Sequence, residues 1–118
     1  MEYALFSLPI QPGCGQDARA FLEQLEWERK GQYAASEQRL GITKELWAIQ
    51  DIPAGLFFVV FFQSEDIGAS ISQFVASTDE FDRWFKQQVK HTTGVDLNVM
   101  PPGPLSEIIS VFEGVDDL

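Results

Sequence analysis

The sequence predicts an α+β domain in which helices cover one face of an antiparallel sheet. Three observations carry that expectation. Leu56-Phe-Phe-Val-Val-Phe-Phe62 is an unbroken apolar run, the pattern of a strand covered on both faces. A second strand-like run, Ile42 to Gln50, precedes it through Asp51-Ile-Pro-Ala-Gly55, where Pro and Gly supply the backbone freedom of a hairpin turn. Apolar residues at helical spacing flank this strand pair on both sides.

The elements follow in order. Residues 3–10 place Ala4, Phe6, Leu8 and Ile10 on one side and Tyr3, Leu5 and Ser7 on the other, a strand with one apolar and one mixed face. Pro12-Gly-Cys-Gly15 breaks it. Residues 16–30 carry Ala18, Phe21, Leu22 and Leu25 at helical spacing, backed by Glu23, Glu26 and Glu28, with Gly31 as the expected stop. Residues 32–41 are less decided, a candidate short helix ending at Gly41. After the strand pair 42–50 and 56–64, Ile67, Ile71, Phe74 and Val75 form an amphipathic stripe. Ser77-Thr-Asp-Glu80 reads as a capping box opening a helix with Phe81, Trp84, Phe85 and Val89 on one stripe, ending near Gly94. A loop containing Pro101-Pro-Gly-Pro104 leads to an expected last strand, Glu107 to Phe112. Residues 1–113 read as one domain and 114–118 as a short acidic tail that frays.

The order is β-α-β-β-α-β with the second helical region split, the ferredoxin-like plan of an antiparallel sheet with helices on one face. The other face is then bare in a monomer. The strand at 56–62 points Phe57, Val59 and Phe61 to one side and Leu56, Phe58, Val60 and Phe62 to the other. Leaving three such side chains in water costs roughly 5 kcal/mol, at about 1.5–3 kcal/mol each. The expected remedy is a homodimer packed sheet to sheet.

With this length, order and two-sided third strand, the chain resembles the dimeric α+β barrel superfamily. That superfamily includes cofactor-independent monooxygenases of antibiotic biosynthesis, haem-degrading enzymes and uncharacterised bacterial proteins. Ser36-Glu-Gln-Arg-Leu-Gly-Ile-Thr-Lys-Glu45 and Phe81-Asp-Arg-Trp-Phe-Lys86 look like signatures of an uncharacterised bacterial branch. The resemblance implies a barrel-forming dimer and attaches no reaction, because a fold does not fix a function.

Composition narrows the partners. A chain of 118 residues with 45% apolar and 22% charged residues supports one ordinary globular core, rich in large rings with ten Phe and three Trp. A formal charge of −10 argues against nucleic acid and anionic membrane, both of which need Lys and Arg. One Cys provides no disulfide framework and fits a cytoplasmic setting. Glu2 stands where a secretory signal carries positive charge, and the apolar run is too short for a membrane span.

Candidate chemistry is sparse. Glu45 and Trp47 share a strand face with Thr43 and Ile49, opposite Ile42, Leu46 and Ala48. A half-buried carboxylate beside an indole can bind a ligand or move a proton, burial raising its pKa. The plain alternative is a Glu paired with Lys44, Arg39 or Arg29 at the sheet edge. His91, the only histidine, falls at the end of its helix, where water and the helix dipole favour an exposed imidazolium; the sharper reading makes it a base or, since haem-degrading relatives place an iron-binding His on their second long helix, a haem ligand. Cys14, between two glycines before a helix, is a loop residue or a reactive thiolate. Trp84 belongs to an apolar stripe and Trp27 lies off one. Tyr33 and Arg39 sit in the undecided stretch that could close over a pocket. Asp79, Glu80 and Asp82 read as solvated surface. No metal-ligand spacing, phosphate-binding glycine loop or cofactor motif occurs.

Two functions are compatible with these residues. One is a homodimer binding a small apolar or aromatic ligand between helices and sheet, with Trp27, Tyr33, Arg39, Trp47 and Trp84 lining the site. The other is a cofactor-independent monooxygenase or isomerase with Glu45 or His91 moving the proton.

Overall fold

A computed structural model describes residues 1–114, so all of the expected acidic tail except Gly114 lies outside the described residues. The chain is an α+β fold: β1 (Glu2–Pro9), α1 (Gly15–Glu26), α2 (Lys30–Leu40), β2 (Ile42–Ile52), β3 (Gly55–Ser64), α3 (Ile67–Ala76) and α4 (Glu80–Thr93). The sheet is antiparallel in the order β1-β3-β2, so the apolar run at 56–62 lies in the central strand. Leu5, Phe61 and Leu46 stand side by side across the sheet, as do Ser7, Val59 and Ala48. On the opposite face Phe58, Val60 and Phe62 are buried, with Ala4 beside them.

The buried face is closed by rings. Phe21 of α1 packs against Phe58, Trp47 and Phe85 with centroids 6.2, 5.8 and 5.1 Å away, all edge to face. Phe74 of α3 meets Phe85 edge-on at 5.6 Å. Ring quadrupoles favour such edge-on contacts over flat sandwiches. The predicted stripe of α1 is the buried one, Ala18, Phe21 and Leu25.

Several boundaries differ from expectation. The first helix stops at Glu26, and Gly31 lies inside α2 instead of ending α1. Beyond Leu25 the positions that would extend the apolar stripe are charged, Glu28 and Arg29, so a longer helix would bury nothing. The chain instead turns and returns as α2, which ends at Gly41 in the left-handed conformation, φ +75°. The capping box at Ser77 is not formed. Asp79 caps α4 by accepting the Phe81 amide at 3.0 Å, while the Ser77 hydroxyl donates to Asp82 at 2.6 Å. A register irregularity between Ile42 and Lys44 moves Ile42 off the Leu46 face and into the same cavity wall as Glu45.

The expected strand Glu107–Phe112 is not formed, and the sheet has three strands among the described residues. The outward Leu5 amide donates to the Ser106 hydroxyl at 3.1 Å instead of to a backbone carbonyl. Ile109 and Phe112 are left 86% and 92% exposed.

Candidate functional site

Between the sheet and helices α2, α3 and α4 lies a cavity of about 380 Å³, within the size range of small-molecule sites. Its wall is apolar: Leu8 and Val60 from the sheet, Ile71 and Phe74 from α3, Phe85 from α4, and Leu97 from the loop after α4. It reaches the surface beside Val99 and Met100, both exposed.

One wall carries polar groups, and they converge. Tyr33, Ser36, Glu37 and Leu40 occupy i, i+3, i+4 and i+7 of α2 and all face the cavity. Opposite them β2 presents Glu45 and Trp47. The Tyr33 hydroxyl donates to Glu45 Oε2 at 2.5 Å, and the Trp47 indole Nε1 donates to the same oxygen at 3.0 Å. These two donors stabilise a Glu45 carboxylate in a place water does not solvate.

Glu37 lies beside Glu45 and completes the cluster. Its Oε2 is enclosed and meets no donor. A carboxylate there leaves a bare buried oxygen, whereas the acid form turns the group into a donor to Glu45. Burial, and then the Glu45 charge, push the Glu37 carboxyl up to about 9. Burial also raises Glu45, and the hydrogen bonds from Tyr33, Trp47 and Glu37 pull it back. Tyr33 is raised by burial and by the Glu45 charge, so it stays a hydroxyl donor. The pair titrates as a unit, with the donors from Tyr33 and Trp47 favouring the charge on Glu45 and Glu37 holding the proton. Among the described residues neither carboxyl joins an ion pair.

A second polar cluster holds α2 against α4. Asp82, read from sequence as surface, is fully buried. It accepts from Ser36 at 2.5 Å, Ser77 at 2.6 Å and Arg39 at 3.1 Å. Lys86, one turn on and 3% exposed, donates to the carbonyls of Val75 and Ser77 and to Asn98 Oδ1. All three of its protons are used, which is what a buried ammonium requires. Desolvation lowers its pKa. This cluster sets the height of α2 above the sheet and so positions Glu37.

The predicted residues divide. Glu45, Trp47 and Tyr33 meet at one point, and Glu45 pairs with none of Lys44, Arg39 or Arg29. Arg39 turns away to Asp79 and Asp82 at 3.2 and 3.1 Å. Trp84 is outside the cavity wall, packed on Phe21 and Phe81 with the Arg29 guanidinium 4.1 Å above its ring. Trp27 is 73% exposed, over a surface groove shared with Ala48 and Ile49. His91 is exposed and bonds Asp17 at 2.7 Å, away from the cavity wall. The Cys14 thiol donates to the His91 carbonyl at 3.7 Å. Glu37 and Ser36 were missed, although Tyr33–Glu37 spacing already puts both on one helical face.

Among the described residues no group of three or more His, Cys, Asp or Glu side chains is placed to hold a metal ion, and no helix is long and apolar enough to cross a membrane. No protein-family model, curated protein or solved structure matches the chain.

Proposed function

We propose that this protein binds a small, largely aromatic molecule in the cavity between helices and sheet, oriented by the Glu37–Glu45 pair. The observation that carries the reading is the meeting of two unpaired carboxyls, a phenol and an indole on one wall of an otherwise apolar cavity. Apolar walls supply affinity and the few polar groups fix orientation. The neutral fluorophore N-phenyl-1-naphthylamine tests this. One molecule per chain is expected to bind with enhanced emission, and Ile71→Trp, which fills the cavity, abolishes it. Unchanged binding in that variant overturns the assignment.

A second reading is favoured by the raised Glu37 carboxyl beside Glu45. A carboxylate that keeps its charge in an enclosed site, beside an acid that can return a proton, is equipped for proton transfer in an isomerase or cofactor-independent oxygenase. On that reading Glu45 is the base and Glu37 the acid. Loss of turnover in both Glu45→Gln and Glu37→Gln, with N-phenyl-1-naphthylamine binding retained, is the expected result.

The arrangement β1-β3-β2 supports three of the four strands of a ferredoxin-like sheet, and the outer face supports the dimeric barrel as its assembly. Leu5 and Leu46 are 44% and 58% exposed there, flanking Phe61. A second copy laid sheet to sheet covers that row. Light scattering is expected to give the mass of two chains, and Leu46→Lys to shift it to one. A single-chain mass for the unaltered protein removes the dimer.

A further inference from the structure

We propose that the preferred occupant of the cavity is an aromatic cation, its ring among the aromatic side chains and its positive charge against Glu37 and Glu45. This names the ligand class of the site and rests on the binding reading above.

Two carboxyls share one enclosed wall, and among the described residues no Lys, Arg or His is paired with either. Buried carboxylates are stable only when matched by positive charge or by enough donors. Glu45 has Tyr33 and Trp47 as donors, while Glu37 Oε2 has none. A proton on Glu37 fills the deficit in the empty site. A cation in the cavity fills it as well, and the proton then leaves to solvent as both groups ionise.

The rest of the wall suits the same ligand. Tyr33, Trp47, Phe74, Phe81 and Phe85 all face the cavity, and the faces of such rings attract cations, more strongly where water is excluded. An anion is repelled by the Glu45 charge and meets no basic side chain. The formal charge of −10 draws cations toward the protein and slows the approach of anions. Beyond the pair itself, the ionisable groups facing it are Tyr33 on α2, Asp82 on α4, neutralised by Arg39, and Asp96 at the loop side of the cavity. Glu26 at the end of α1 adds to the field at Tyr33. None of these, Arg39 apart, supplies positive charge.

The test compares benzyltrimethylammonium with neopentylbenzene, its uncharged carbon isostere, by equilibrium dialysis against the full-length chain. The two have the same shape, so only the charge is varied. The cation is expected to bind at least about tenfold tighter, with the preference growing from about pH 6 to about pH 9 as the competing proton is lost. Glu45→Gln is expected to erase the preference while neopentylbenzene still binds. Glu37→Gln, which copies the protonated acid and keeps a donor to Glu45, is expected to keep the preference at about pH 6 but lose its growth toward about pH 9, so it serves where Glu45→Gln fails to fold. Equal or tighter binding of the isostere overturns the cation inference and leaves the cavity reading standing. Binding of neither overturns both. A preference that survives Glu45→Gln, or one that still grows with pH in Glu37→Gln, places the cation on the acidic surface and also overturns the inference.

Discussion

Glu37→Gln stabilises the protein at alkaline pH and changes the shape of its stability profile. The folded chain holds the Glu37 proton up to about pH 9, far above the ordinary 4.5 of the carboxyl. Because the folded state binds that proton more tightly, its contribution to stability is complete below about pH 4.5. It declines as pH rises and is gone above about 9. By linkage the slope approaches about 1.4 kcal/mol per pH unit inside that window. From pH 6 to 8 the unaltered protein is therefore expected to lose on the order of 2–3 kcal/mol relative to the variant. Gln keeps the volume and can donate its amide to Glu45, so the cluster survives. Urea unfolding at several pH values measures this, and parallel profiles for the two proteins contradict a retained proton on Glu37.

Asp82→Ala acts in the opposite direction and at every pH near neutrality. The substitution removes the acceptor of Ser36, Ser77 and Arg39 at once and takes from the buried Lys86 an opposing charge that acts on it more strongly than Asp96. Breaking a buried charge network in this way costs about 3–5 kcal/mol. For a chain of this size that corresponds to a fall in melting temperature of roughly 10–20 °C, measurable by calorimetry. Asp82→Asn, which keeps an acceptor, is expected to lose less. Because Ser36 sits one residue before Glu37, the alanine variant also loosens α2 over the cavity, and N-phenyl-1-naphthylamine binding weakens with stability. A loss below about 1 kcal/mol means that the cluster does not hold α2 in place.

The legible parts of the fold were those whose pattern reports burial directly. The alternation of β1, the Phe58, Val60 and Phe62 face of β3 and the stripes of α1 and α4 place the observed residues in or against the core, while Phe57, Val59 and Phe61 on the other face of β3 stay half-buried. Helix α2 was undecided because its inward face is half polar: Ser36 and Glu37 stand where apolar residues mark a helix. The same polarity makes it the wall of the site. Asp82 looked like surface because a single sequence shows a carboxylate but not the serines and arginine that meet it from another helix. The segment at 107–112 has strand-forming residues, yet strand formation needs a ladder partner, and the Leu5 amide is taken by Ser106. Glu45 and Trp47 were found because period-two spacing puts them on one face. Tyr33, the other donor to Glu45, was named, but its contact with Glu45 depends on where α2 crosses β2.

The account turns on one proton held between Glu37 and Glu45. Carbon-13 NMR of the glutamate side-chain carboxyls, titrated across pH and assigned with Glu37→Gln and Glu45→Gln, observes it directly. The account predicts one carboxyl resonance that stays in the acid form through neutral pH and titrates at about 9, present in the unaltered protein and absent from Glu37→Gln. Glu37 and Glu45 resonances that both titrate near the ordinary 4.5 of the carboxyl contradict it.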